Sequence, residues 1–337
     1  MQFGNTLPWI ILVVLLLTLF MLNVSLGSVD IPFAEIIRTL GGSSTTDASA
    51  EIVWDFRMPK AFTCILAGSA LSLGGLKMQR LFRKPLVGPD VLGPTSGASL
   101  AVSLIFMSGA GGGFFAIPGP WSIAIAASTG CAAVFLVMLA IARKVRDNVS
   151  LLIVGLMVGA GTASIVSVLQ YLSSAEQMQV YILWTFGSLG GLDWNELGVL
   201  SMILAAGIVL SVGAIKPLNA WLLGDEYARS LGVDLKRSRL IFILSTSVLT
   251  GGVTAFCGPI AFVGIAVPHL VKLLIKSNNH KLTIPGSLIG GAALVLGCDI
   301  LAQIPGATHV LPINAITAMI GAPVVIWVII RQRIVRG

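Results

Sequence analysis

Apolar residues along this chain gather into long blocks, and polar residues collect in the gaps between them. Ten blocks stand out, at about 7–27, 60–80, 93–109, 120–142, 149–172, 192–213, 238–257, 260–276, 283–302 and 321–332. A helix needs about 20 mostly apolar residues to cross the hydrocarbon layer of a bilayer. The last block is short, although its apolar run begins earlier, near Ile313. The pattern predicts an all-α polytopic membrane protein with ten transmembrane helices, folded as a single transmembrane domain over residues 1–337. An even number of crossings puts both termini on one side.

Composition sharpens this picture. Only 10% of the 337 residues are charged and 56% are hydrophobic, whereas roughly a quarter of a soluble domain is charged. A net charge of +7 would point to nucleic acid in a soluble chain. In a membrane chain its first explanation is Lys and Arg retained on the cytoplasmic side, so no nucleic-acid partner is expected. Cys64, Cys131, Cys257 and Cys298 are scattered singly, without CxxC spacing or a nearby His, and read as packing residues, so no metal site is expected. The first apolar run lacks a basic n-region and a small-residue cleavage site, so it reads as a span that stays.

The basic residues fix an orientation. One set of loops holds Lys77, Arg80, Arg83 and Lys84, then Arg143, Lys144 and Arg146, then Lys216, Arg229, Lys236, Arg237 and Arg239, then Lys272, Lys276 and Lys281, and last Arg331, Arg333 and Arg336. The opposite set holds Arg38, Arg57 and Lys60. This asymmetry places both termini in the cytoplasm.

Gly155, Gly159 and Ala163 keep four-residue spacing, as do Gly286 and Gly290. Such small-residue stripes serve close helix packing, here inside the subunit more than between subunits. Asp299 lies near the outer end of a span, without other acids or histidines in neighbouring spans. It is either a transport carboxylate or a hydrogen-bonded structural acid.

The stretch "LNAWLLGDEYARSLGVDLKRSRL", residues 218–240, breaks the apolar pattern. Leu218, Trp221 and Leu222 share one helical face, and after Gly224 a second set follows: Tyr227, Ala228 and Leu231. Asp225 is the expected N-cap of the second piece and Gly232 its C′ residue. Each piece falls below the roughly 12–15 residues at which an isolated helix is marginal in water. They must rest on the bilayer, on the protein's own spans, or in a groove of a partner. Asp225 and Glu226 with few lysines fit an anionic lipid surface poorly, which favours a protein partner.

Four stretches carry a resemblance: residues 57–102 from "RMPKAFTCILAGSALSLGGL", the 218–240 block, "GPIAFVGIAVPHLVK" at 258–272 and "LPINAITAMIGAPVVIWVIIR" at 311–331. Together they resemble the FecCD-type permeases, membrane subunits of binding-protein-dependent ABC importers for iron–siderophore complexes, haem and cobalamin. The likeness runs in unbroken order from about residue 7 to the C-terminus.

The resemblance implies a type II ABC importer permease that dimerises around a central pathway, as a homodimer because one copy carries every motif. Two cytoplasmic ATPase subunits would bind ATP and Mg below it, and a periplasmic or lipid-anchored binding protein would deliver substrate above it. No cofactor is expected on this chain. It also has no GxxxxGK[ST] loop, which excludes ATP hydrolysis by this chain alone, so it is not expected to be an enzyme. The coupling segment would be about 216–237, with Leu218, Trp221, Leu222, Gly224, Asp225, Glu226, Tyr227, Ala228, Arg229, Leu231 and Gly232 contacting the ATPase.

Family members use outer basic side chains to meet the binding protein. Arg57 and Lys60 match those positions, and Gln303 stands where some members place a further arginine. These residues either dock or simply end a span at the headgroups. The resemblance puts a cytoplasmic gate at Lys84, Leu86, Asn148, Val149 and Ser150. Lys84 either pairs with Asp90 or extends to water. His269 could suggest a haem ligand, but it falls in a stretch shared with permeases for other substrates. His280 and His309 read as solvated loop residues. The rival class is an ion-coupled secondary transporter acting without an ATPase, which would want ionisable residues in several spans.

Overall fold

The computed structural model describes residues 6–27, 29, 31–41, 47–84, 87–107, 120–145, 147–303 and 310–334. Every regular element among them is helical. Helix α1 (Leu7–Ser25) is followed by the short α2 (Phe33–Leu40) and α3 (Asp47–Glu51), which runs through a π-helical turn, Ile52–Arg57, into α4 (Met58–Phe82). A 3₁₀ turn, Pro89–Leu92, leads to α5 (Pro94–Met107), α6 (Pro120–Lys144) and α7 (Asn148–Leu172). Next come α8 (Ala175–Thr185), α9 (Trp194–Gly213), α10 (Ile215–Ala220), the 3₁₀ turn Trp221–Leu223 and α11 (Asp225–Ser230). The chain closes with α12 (Leu235–Cys257), α13 (Val263–Ile275), α14 (His280–Ala302) and α15 (Ile313–Ile334).

All ten apolar blocks fall on helices. Among the described residues, seven helical stretches are long and apolar enough to cross a membrane: α1, the continuous Ala48–Phe82 run, α6, α7, α9, α12 and α14. Helices α5 and α13 and the Ile313–Val328 part of α15 are apolar but shorter. The chain is a multi-pass membrane protein. Large exposed side chains such as Leu7, Ile10 and Leu17 of α1, Met157 and Val168 of α7, and Met202 and Val209 of α9 fit a hydrocarbon surround rather than water.

Polar caps set where the helices start. Asp147, Asp234 and Asn279 accept backbone N–H groups at the starts of α7, α12 and α14. Ser174 and Asp193 form capping boxes with Gln177 and Glu196 ahead of α8 and α9. Helix α12 stops at Gly258, where φ is 74° and an added Cβ would lie 2.7 Å from the Trp184 carbonyl oxygen. Only glycine fits that corner.

The core is built around α4, which packs on α9, α12, α13 and α14. Gly68 and Gly291 face each other so closely that a Cβ on either would collide with the other's backbone. Gly155 meets the Val91 carbonyl, and Gly286 and Gly290 meet Val271. Those stripes are thus used inside the subunit, while Ala163 is exposed.

Lys77 departs from its reading as a loop cation. It is fully buried within α4, and its Nζ donates to Ser211 Oγ of α9 and Ser245 Oγ of α12, each at 2.7 Å. The hydroxyls replace part of the hydration that burial removes.

Candidate functional site

After α9 the chain makes two short helical pieces, α10 with its 3₁₀ turn and α11, hinged at Gly224. That glycine has φ 106° and occupies the N-cap position of α11. The expectation that Asp225 would be the N-cap is therefore corrected: the hinge needs a positive φ, which glycine adopts without steric cost, and Asp225 becomes the first helical residue. At the other end Gly232, with φ 77°, donates its N–H to Arg229 O at 2.9 Å, and Val233 donates to Ala228 O at 3.0 Å. This is a Schellman closure, with Gly232 at C′ as the sequence predicts.

The segment has two faces. Leu218 and Ala228 are fully buried, and Trp221 stands edge-on to Phe242 of α12 with ring centroids 5.3 Å apart. Helices too short to persist alone are thus held by the protein's own spans. On the other face Leu223, Tyr227 and Leu231 are 62%, 53% and 57% exposed, beside exposed Glu226 and Arg229. Leu222 is only partly exposed. Leu223, which sequence periodicity passed over because the 3₁₀ turn shifts the register, takes the outward place expected of Leu222.

A cavity of about 690 Å³ lies at the basic end of the bundle, and Lys84, Asn148, Val149, Trp221, Arg229 and Arg239 are among its lining residues. The structure brings gate candidates and the 215–232 segment to one space. Asn148 Nδ2 donates to Leu81 O at 2.8 Å, fastening the start of α7 to the end of α4. Ser150 N and Oγ donate to Asp147 Oδ2 at 2.7 and 3.0 Å, and these bonds hold the Asp147 carboxyl below its ordinary range. Leu86 lies outside the described residues. Lys84 is exposed and makes no ion pair with Asp90 among the described residues, whereas Asp90 Oδ1 accepts from Thr95 at 2.7 Å.

His280, read as solvated, is fully buried in the first turn of α14, beneath α10. Burial follows from α10 folding back over the start of α14, which no local pattern announces. His269 is partly buried in α13, and His309 lies outside the described residues. All four cysteines are buried.

At the opposite end, Arg57 is only 7% exposed. Its Nη1 donates to Val24 O at 2.9 Å and Ser25 O at 2.8 Å, and its Nη2 donates to Val29 O. The guanidinium thus satisfies carbonyls left open where α1 ends. One turn further, Lys60 Nζ lies 3.1 Å from Asp299 Oδ1. Asp299 Oδ2 also accepts from Asn23 Nδ2 at 2.7 Å and Gln303 Nε2 at 2.6 Å. Asp299 is therefore ion-paired and hydrogen-bonded, which favours the structural of its two readings.

Arg57, Lys60, Asp299 and Gln303 line one cavity of about 850 Å³. The three residues expected to dock a binding protein do come together at one mouth. The Arg57 guanidinium is already occupied by the end of α1, while Lys60 keeps 18% side-chain exposure.

The FecCD transport family profile matches residues 15–331. The chain belongs to the FecCD transport family. It is 34% identical over 326 residues to the hemin transport system permease protein HmuU of Yersinia pestis, covering 96% of this chain and 95% of that protein. It is 30% identical over 322 residues to the vitamin B12 import system permease protein BtuC of Klebsiella pneumoniae, covering 96% and 93%. Its fold is similar to a metal-chelate-type ABC transporter solved in an inward-facing conformation, with a TM-score of 0.79 and 25% identity over 93% of this chain and 96% of that one.

This FecCD chain is accordingly a permease of the metal-chelate, haem and vitamin B12 ABC importer family, whose permeases are transport subunits working with ATPase and substrate-binding partners.

Proposed function

We propose that this FecCD permease crosses the bacterial inner membrane ten times with both termini in the cytoplasm, and pairs with a second copy around the pathway for a metal chelate. Two separate ATPase subunits drive it from the basic end, and a binding protein delivers cargo at the opposite end. The observation that carries this reading is the 215–232 segment: a rigidly seated inner face and an apolar outer face of Leu223, Tyr227 and Leu231. That face lies at the basic end, the side expected to be cytoplasmic. Exposed apolar anchors ringed by polar residues are what a groove in a partner takes up.

Transport requires two packings whose balance both partners bias. Movement of the segment reaches the gate candidates through the cavity they share, where Asn148 already links α7 to α4. Lys60 and its neighbours offer the outer contact.

Iron–siderophore complexes are the commonest cargo in the family, while the relatives named above carry hemin or vitamin B12, so cargo is assigned to these three. ATP-dependent uptake of ferrichrome, hemin and cyanocobalamin by proteoliposomes holding the permease, its ATPase and its binding protein tests the reading. Uptake of one of them is expected, and uptake that persists without the ATPase would instead favour an ion-coupled carrier. Against that rival, the one intramembrane acid singled out from the sequence, Asp299, is occupied by Lys60, Asn23 and Gln303.

A further inference from the structure

The coupling segment is fastened to the spans by a polar tie as well as by Trp221. Asn219 of α10 turns its Oδ1 onto the first residue of α14, accepting from His280 N at 2.9 Å and lying 2.8 Å from His280 Nδ1. Its Nδ2 donates to Asn279 Oδ1 at 3.1 Å, the same oxygen that caps α14 by accepting from Lys281 N at 3.0 Å. On the other side of the ring, Arg80 Nε of α4 donates to His280 Nε2 at 3.1 Å. Arg80 Nη2 reaches Asn278 Oδ1 at 3.4 Å.

The partners assign the proton. A guanidinium can only donate, so Nε2 presents its lone pair, and the hydrogen sits on Nδ1, aimed at Asn219. The imidazole is fully buried and uses both nitrogens, one toward the segment and one toward α4. A buried ring held on both sides is left with an unsatisfied donor when Asn219 withdraws and an unsatisfied acceptor when Arg80 does, so the three elements favour moving together.

We propose that Asn219 and His280 are positioning residues that carry displacement of the coupling segment into the α4–α14 pair. This rests on reading the segment as the ATPase contact. Trp221 against Phe242 gives the segment a hold on α12, and Asn219 with His280 gives it a second hold on the two helices that meet at Gly68 and Gly291. Those helices run to the opposite end of the bundle, where Lys60 and Asp299 join them again. One rigid pair thus spans from the segment to the outer cavity.

The test uses the full permease–ATPase complex with a nitroxide on Leu301→Cys, an exposed position in the last turn of α14. The native cysteines are buried, which keeps labelling selective. In the otherwise unaltered chain, ATP with vanadate is expected to change the label's mobility. In Asn219→Leu, which removes the acceptor at similar volume, the change per assembled complex is expected to be at least about fivefold smaller, the lower bound of ordinary coupling between sites. His280→Phe is expected to do the same, and Asn219→Asp, which keeps the acceptor, is expected to restore most of the response. A full response in Asn219→Leu overturns the proposal alone. So does an equal loss in Asn219→Asp, because it would mean that the hydrogen bond is not what matters. If the chain carrying only the label binds no ATPase, the reading of the segment fails and the proposal with it.

Discussion

Lys60 Nζ and Asp299 Oδ1, 3.1 Å apart, join the first turn of α4 to the last turn of α14 at the end of the bundle away from the coupling segment. The carboxylate is almost fully buried and also holds Asn23 and Gln303. Asp299→Asn strands a partly buried ammonium and is expected to cost about 3 kcal/mol, as breaking a buried pair does. Lys60→Met should cost less, because two amide donors still serve the acid. Thermal unfolding in nanodiscs checks the order, and a larger loss for Lys60→Met would reverse this account of the pair.

Arg57 makes a different prediction from Lys60. Arg57→Gln deprives the end of α1 of its charged donor and is expected to lower stability by about 2 kcal/mol with little dependence on salt. Lys60→Glu is expected to weaken binding-protein affinity more at low ionic strength than at high. Unchanged stability in Arg57→Gln, combined with salt-dependent loss of docking, would return Arg57 to the outer contact surface.

The glycine contacts are specific enough to sort. Gly68→Ala and Gly291→Ala push a methyl group into backbone that cannot yield, and each is expected to destabilise by about 2 kcal/mol or more. Gly161→Ala and Gly198→Ala meet nothing within 4 Å and are expected to stabilise by about 0.5 kcal/mol, through reduced freedom of the unfolded chain. Equal melting temperatures across the four variants would remove the close α4–α14 contact from the account.

Lys77 is held by hydroxyls that also have backbone acceptors: Ser211 Oγ donates to Gly207 O at 2.6 Å and Ser245 Oγ to Phe242 O at 3.3 Å. Lys77→Met therefore leaves no hydroxyl stranded, and removes the cost of burying an ammonium. It is expected to unfold at or above the wild-type temperature. Ser211→Ala combined with Ser245→Ala strands the ammonium instead and is expected to cost about 3 kcal/mol. A severe loss in Lys77→Met would mean that the lysine has a partner beyond these two serines.

The apolar blocks, the break at Gly224 and the C′ glycine Gly232 were legible in the sequence because each follows from local chemistry: hydrocarbon length, interrupted periodicity and helix closure. Helix α8 was not anticipated, although the Ser174–Gln177 capping box that starts it is visible as a pattern. His280 and Lys77 were misread, and the partners of Asp299 were missed, for one shared reason. Their surroundings come from residues far away in sequence, such as Asn219, Ser245 and Lys60, and neither hydropathy nor charge count reports which side chains meet in space. The inward and outward faces at 218–232 were half legible, because periodicity assumed an unbroken α-helix and the 3₁₀ turn moved Leu223 outward.

The central claim is that the outer face of the 215–232 segment is where a separate ATPase takes hold. Co-purification of the ATPase with the permease carrying Leu223→Asp and Leu231→Asp tests it most directly. Both side chains are exposed, so the membrane fold should survive. Loss of two buried leucines at the contact, at about 2 kcal/mol each, predicts at least about a hundredfold drop in affinity. Permease recovered in normal amount without its ATPase is the expected result. ATPase retained at the wild-type ratio by the doubly substituted chain would contradict the claim.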